Sequence, residues 1–316
     1  MYCSVDFRLT NSDAPNVDFL GETAHHIGEV GEHVYGDVLV LTGSLNNYKV
    51  TIRRDYVTVK DGSLCKYHLG DNFQTLGRSD TKRAIEQLSD TLHLPIDKAQ
   101  VTKLDIAQNF IVKQPLEVYY NHFGELKHAN RAPVTANGEI ETLYYYQRLG
   151  LLVFYNKLKE QQAKKQHIPE LYQNRNVLRY EQRYKSRLPK SFNVERVTGS
   201  LLYDEAFYIK VIDKWKNNYF NIKKLNDITL NFEAMKNITD LNNLGVLALV
   251  EMQGGELNLI NQIKEAQLSG QLTKKQAFDL KNRVTTACKI KDGITAPNEA
   301  ILELDKKVIE AVKYYR

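Results

Sequence analysis

The sequence predicts an α+β protein, a mainly antiparallel sheet with packed helices followed by a helical C-terminal domain. Three observations carry that reading. Residues 37–60 (DVLVLTG, NYKVTIRR, DYVTVK) cluster and alternate β-branched and apolar residues as strands do. Three later segments, VTKLDIAQNFIV, LLVFYNK and NVLRYEQRY, repeat that pattern. From about residue 200 the spacing changes: FYIKVIDKWKNNYFNIKKL, GELNLINQIKEAQL and EAILELDKKVIEAVKYY place apolar residues three and four apart, as helices require. At 316 residues the chain exceeds the size at which one core usually keeps growing, so two domains are expected, 1–195 and 196–316.

Between these anchors the elements follow in order. Asp61-Gly62 is a hairpin signal joining VTVK to SLCKYHL, which places His68 on a strand. RSDTKRAIEQLSDTLHLP is a helix, with Ala84, Ile85, Leu88 and Leu92 on its apolar face, Ser79 or Asp80 at its start and Pro95 beyond its end. PLEVYYNHFG is a short helix that opens on Pro and closes on Gly. IETLYYY and LLVFYNK are strands, and KLKEQQAKKQH is a polar helix stopped by Ile168-Pro169. Trp215 and Tyr219 lie four apart on one helix face, a spacing that suits core packing.

Composition narrows the function classes. No apolar run approaches the ~20 residues that a membrane-spanning helix needs. MYCSVDFRLT has no basic segment followed by an apolar one, so no secretory signal is expected. Three scattered cysteines form neither a disulfide framework nor a CxxC site, which fits a reducing cytoplasm. A GxxxxGK[ST] loop is absent, leaving no support for a P-loop ATPase. HHIGEVGEH lacks metal-ligand spacing, so its histidines are expected on a surface loop. Net charge is only +5, yet residues 148–196 hold twelve Lys and Arg against four Glu, a surplus of eight. That concentration suits either a polyanionic partner or a solvated surface.

Strand alternation sharpens the first option. In 103–110, Lys103, Asp105, Ala107 and Asn109 share one face; in 151–157, Val153, Tyr155 and Lys157 do; in 177–185, Arg179, Glu181, Arg183 and Lys185 do. As sheet neighbours, the three strands would gather two carboxylates able to hold a hard cation, a phenol able to act as nucleophile, and basic groups suited to phosphates. Taken singly, Asp105 suits a pair with Lys103, and Glu181 a cross-strand ion ladder. Tyr144-Tyr145-Tyr146 offers rival phenols, a stacking platform for bases or plain sheet filler.

The succession KLDIA (103–107), VFYNK (153–157) and RYEQR (179–183) resembles the gene II/X family of replication initiators of filamentous phages and related plasmids and mobile elements. The family's counterparts are an R-I-D-A-like strand, a V-x-Y-x-K-like nucleophile segment and an R-F-E-x-R-like strand. Lys103 replaces the arginine, and Asn156 stands where relatives often carry aspartate. The resemblance spans about residues 100–195. It implies a metal-dependent nicking-joining endonuclease on a fold related to the HUH nucleases, without their His-hydrophobic-His motif. By that resemblance Tyr155 would attack origin DNA and form a 5′-phosphotyrosine, with Lys157 assisting, to start rolling-circle replication. Asp105 and Glu181 would hold Mg²⁺ or Mn²⁺, while Arg179, Arg183, Lys185 and Arg187 would contact DNA. Origin DNA, single-stranded or supercoiled, is the implied partner, with host helicase and polymerase beside it and no membrane. A relaxase or transposase of the same chemistry and a non-catalytic DNA-binding regulator are the alternatives.

Overall fold

A computed structural model describes residues 1–136, 138–185, 187–228, 235–289 and 295–316. The chain opens with β1 (Tyr2–Thr10), a single-turn α1 (Phe19–Glu22), β2 (Gly28–Tyr35), β3 (Val38–Leu45), β4 (Tyr48–Arg53) and β5 (Tyr56–Lys60). Two helices follow, α2 (Leu64–Leu69) and α3 (Arg78–Leu92), then β6 (Gln100–Val112), α4 (Leu116–Asn121) and β7 (Phe123–Leu126). Next come β8 (Ala129–Ala136), β9 (Glu139–Gln147), β10 (Leu151–Asn156), α5 (Lys157–Ala163), β11 (Asn176–Tyr184) and α6 (Leu188–Phe192). The rest comprises α7 (Glu205–Phe220), β12 (Ile222–Lys224), β13 (Asn226–Ile228), α8 (Ile238–Met252), α9 (Glu256–Leu268), α10 (Lys274–Lys289), β14 (Thr295–Pro297) and α11 (Glu299–Tyr315).

Ten strands make one antiparallel sheet in the order β2-β3-β4-β5-β1-β6-β11-β10-β9-β8. The α+β expectation holds. The three segments singled out from the sequence lie side by side, with β11 between β6 and β10. Their apolar sides face one way. Phe154 stacks on Tyr180 with ring centres 4.6 Å apart, and Tyr180 on Trp215 of α7 at 4.8 Å. Trp215 also meets Phe110, and Tyr180 Oη donates to the Trp215 carbonyl at 3.1 Å. Trp215 and Tyr219 are therefore core residues. With Leu304 and Val308 of α11 they join the sheet's hydrophobic core, whereas Val250, Leu259, Ile263, Ala277 and Val284 make a separate cluster among α8, α9 and α10. No helix among the described residues is long and apolar enough to cross a membrane.

Three local expectations are corrected. SLCKYHL is the helix α2, not a strand. Ser63 Oγ caps the Lys66 amide, Leu64, Cys65 and Tyr67 are buried, and Gly70 ends the helix with φ +85°. His68 accordingly turns away from the sheet and bonds Gln87 at 2.9 Å. The stretch around His33 is strand β2, because cross-strand pairing with β3 outweighs its glycines. Gly124 does not close α4 but lies in β7. Within the N-terminal MYCSVDFRLT, β1 is a central strand paired with β5 and β6.

Replacing Trp215 by alanine would empty a fully buried site shared by Phe110 and Tyr180. The expected loss is about 3–5 kcal/mol, read as a lowered denaturation midpoint. An unchanged midpoint would remove α7 from the sheet's core.

Candidate active site

The cross-strand register builds the site. Arg179 pairs with Asn109 on one side and Tyr155 on the other; Glu181 lies between Ala107 and Val153; Arg183 lies between Asp105 and Leu151. A cleft of about 550 Å³ opens on this face, lined by Asp105, Tyr155, Arg179, Glu181, Arg183 and Lys185 together with Cys3, Ser4, Asn72, Tyr144, Lys159 and Lys164, among others.

Its floor is an enclosed ion cluster. Tyr155 Oη donates to Glu181 Oε2 at 3.2 Å. The same oxygen accepts from Arg183 Nη2 at 3.1 Å and lies 3.6 Å from Arg179 Nε. Arg179 is 1% exposed; its Nε has no hydrogen-bond partner, while both Nη groups bond the protein. One goes to the Asn72 carbonyl and Asn109 Oδ1, both at 3.1 Å, and another to Cys3 Sγ at 2.9 Å. Burial works to raise Glu181, but the two guanidiniums outweigh it and hold the carboxyl below its ordinary range. Burial drives the Tyr155 phenol well above 10, against the nearby Arg179 charge, so the resting hydroxyl keeps its proton.

Asp105 differs. It is 3% exposed, Lys103 Nζ stands 3.5 Å from Oδ2, and Oδ1 has no hydrogen-bond partner. Burial first and Glu181 second raise its carboxyl to about 7. An unpartnered, buried carboxylate oxygen beside a second carboxylate fits a hard divalent cation, which would offset that repulsion. Among the described residues no group of three or more His, Cys, Asp or Glu is arranged for a metal. The two carboxylates would therefore share such an ion with water and substrate oxygens.

The structure places the remaining expected residues differently from one another. Lys157 starts α5, where Asn156 caps the helix by accepting from the Leu158 and Lys159 amides. That turn breaks the strand alternation and sends the Lys157 ammonium inward. It donates to Asn72 Oδ1 at 2.9 Å and Glu160 Oε2 at 2.7 Å, lies over the Phe73 ring, and is drawn down to about 8 by burial and the Arg179 charge. Lys159 and Lys164 line the cleft instead, from α5 and the residue just after it. Lys185 lines the cleft too, while Arg187 is exposed at the start of α6.

Sequence reasoning did not find Cys3, Ser4, Asn72 or Glu160. Cys3 and Ser4 belong to strand β1 and Asn72 to the loop after α2, so only the tertiary fold brings them here. Tyr145, one rival phenol, is buried on the opposite face and donates to the Gly124 carbonyl. His122 is held by the Val118 carbonyl and Asp227.

Residues 20–218 match the family described as the N-terminal region of the replication-associated gene II protein. The chain belongs to this family of phage replication initiators. The matched span carries Asp105, Tyr155 and Glu181, and it leaves β1 and α8 to α11 outside. No curated protein matches the chain.

The Asp105 carboxyl keeps its proton up to about pH 7 in the fold, against 3.8 for the ordinary group. The folded state thus binds more protons than the unfolded one between these values, and stability falls as pH rises through them. Asp105→Asn is expected to melt higher than wild type at pH 8, by about 2–4 °C per kcal/mol relieved, with the gain shrinking at pH 5. Mn²⁺ should raise the wild-type melting temperature at pH 8 more than that of the variant. A pH-independent difference would remove the charge argument.

Proposed function

We propose that this protein nicks and rejoins origin DNA through Tyr155, starting rolling-circle replication. The observation that carries the reading is the Tyr155 hydroxyl, set on the ionised Glu181 in an open cleft with Asp105 on the neighbouring strand. The family assignment supplies the replication context. The basic surplus around β10 and β11 supplies the electrostatics a phosphate backbone requires.

The chemistry follows from the contacts. Glu181 already accepts the phenolic hydrogen bond, so it is placed to take the proton as the oxygen attacks phosphorus. The new bond is a 5′-phosphotyrosine ester. The bond from phosphorus to the 3′ oxygen breaks, and that oxygen takes up a proton to become a 3′-OH primer for a host polymerase. Arg179, internal and fixed, favours the developing phenolate. Lys159, Lys164 and Lys185 at the cleft lining neutralise the strand's phosphates. Mg²⁺ or Mn²⁺ held by Asp105 and Glu181 would polarise the scissile phosphate. Lys157, paired with Glu160 and Asn72, anchors α5 and so the end of the tyrosine strand. Because the ester conserves the phosphodiester's energy, rejoining needs no ATP.

The test is nicking of supercoiled DNA carrying the cognate origin by wild type and Tyr155→Phe, each with Mn²⁺ or EDTA, with recovery of protein on the 5′ end. The expected result is a metal-dependent nick and a 5′ adduct, both reduced to background in the variant. An adduct that survives the substitution would move the nucleophile to another phenol, Tyr144 first. Salt-sensitive origin binding without any nick would leave a non-catalytic regulator.

A further inference from the structure

Beside the row of Tyr155, Glu181 and Asp105, an aromatic pair lies on β9. On β9, Thr142 pairs with Tyr155, Tyr144 with Val153 and Tyr146 with Leu151. Tyr144 is thus two strands from Glu181 in the same cross-strand row, roughly 10 Å at the usual strand spacing. The two rings lie nearly parallel, 5.7 Å apart at 22°. Tyr144 lines the cleft, and Tyr146 is 50% exposed. Among the described residues neither hydroxyl makes a hydrogen bond, unlike that of Tyr145 between them. Their partners on the next strand, Ala132 and Asn130, are short and set no large side chain opposite either ring.

We propose that Tyr144 and Tyr146 form a stacking subsite for unpaired bases of single-stranded DNA next to the nicked phosphate. The inference rests on the cleft being a DNA-nicking site and adds how the strand is held there. Duplex DNA hides its base faces within the helix stack, so a pair of aromatic faces beside a basic cleft selects unpaired bases. Stacking is tolerant of sequence because every base has a π-face. The subsite therefore holds the strand without reading it, and it keeps the nucleotides beside the scissile bond splayed from their partners. Lys159 and Lys164, which line the cleft in ion pairs with Glu141 and Glu160, exchange those partners for phosphates along that path.

The experiment uses the full chain and origin-sequence oligonucleotides carrying one 2-aminopurine, moved through the nucleotides flanking the nick. Wild type should quench its fluorescence at one or two positions. Tyr144→Ala/Tyr146→Ala should lose that quenching and bind the single strand roughly tenfold or more weaker, since each stacked base contributes about 1–3 kcal/mol. The dependence of affinity on salt should stay unchanged, because no charge is removed. Tyr144→Phe/Tyr146→Phe should keep both affinity and quenching. Tyr146→Ala alone, at a half-exposed position that leaves the fold intact, should show a partial loss. Wild-type affinity and quenching in the double alanine variant would overturn the subsite. Position-specific quenching that depends on the tyrosines, in a protein that never nicks, would retain the subsite and reject the nicking reading. Absence of any salt-sensitive oligonucleotide binding by wild type would overturn both.

Discussion

The buried pairing of Arg179 with Glu181 is the constraint around which the rest of the site is arranged. A guanidinium at 1% exposure is costly unless nearly all its donors are satisfied, and four separate parts of the chain contribute. Glu181 and Asn109 come from β11 and β6, the Asn72 carbonyl from the loop after α2, and the Cys3 sulfur from β1. Satisfying one cation thus requires the N-terminal strand to lie in the middle of the sheet and the loop to fold over its face. Tyr155 enters this cluster as a donor to Glu181, so the phenol's position follows from how the ion pair is held. The same desolvation that makes the pair demanding keeps the phenol protonated.

The basic groups divide into two classes by where they end. Arg179 and Lys157 are enclosed, and their charge is matched inside by Glu181 and Glu160. Glu160 serves both Lys157 and Lys164; burial opposes its ionisation, but these bonds lower it to about 2. Lys185 reaches the cleft lining, as do Lys159 and Lys164, which are paired there with Glu141 and Glu160 and open to a competing polyanion. Charge counted along the sequence cannot make this division. A helix cap at the end of the tyrosine strand decides it, by turning Lys157 inward and Lys159 outward.

Asp105 carries the complementary imbalance. Its neighbour Glu181 is over-supplied with donors while Asp105 keeps one oxygen without any, so two carboxylates on adjacent strands sit in opposite electrostatic states. That asymmetry gives the cleft an ionised carboxylate, Glu181, beside a carboxyl at which added positive charge is stabilising. The apolar side of the same strands packs on α7 and α11, while their other face carries the ion cluster at the floor of the cleft.

The sequence by itself determined the three strands and the shared face of Asp105, Tyr155 and Glu181, though not the turn that takes Lys157 off it, because side-chain alternation is a local property of extended backbone. It also determined α3, α7 and α11 through apolar spacing. It could not determine that SLCKYHL coils, since a seven-residue stretch suits either period and the Ser63 cap and Gly70 stop settled the matter. Only the tertiary structure decided which strands adjoin, and with that the entry of Cys3, Asn72 and the stacked Tyr144 and Tyr146 into the cleft region. The physical reason is that strand order is chosen by burial and hydrogen bonding between segments far apart in the chain. Alternation within one segment says which face a residue takes, but not what lies beside it.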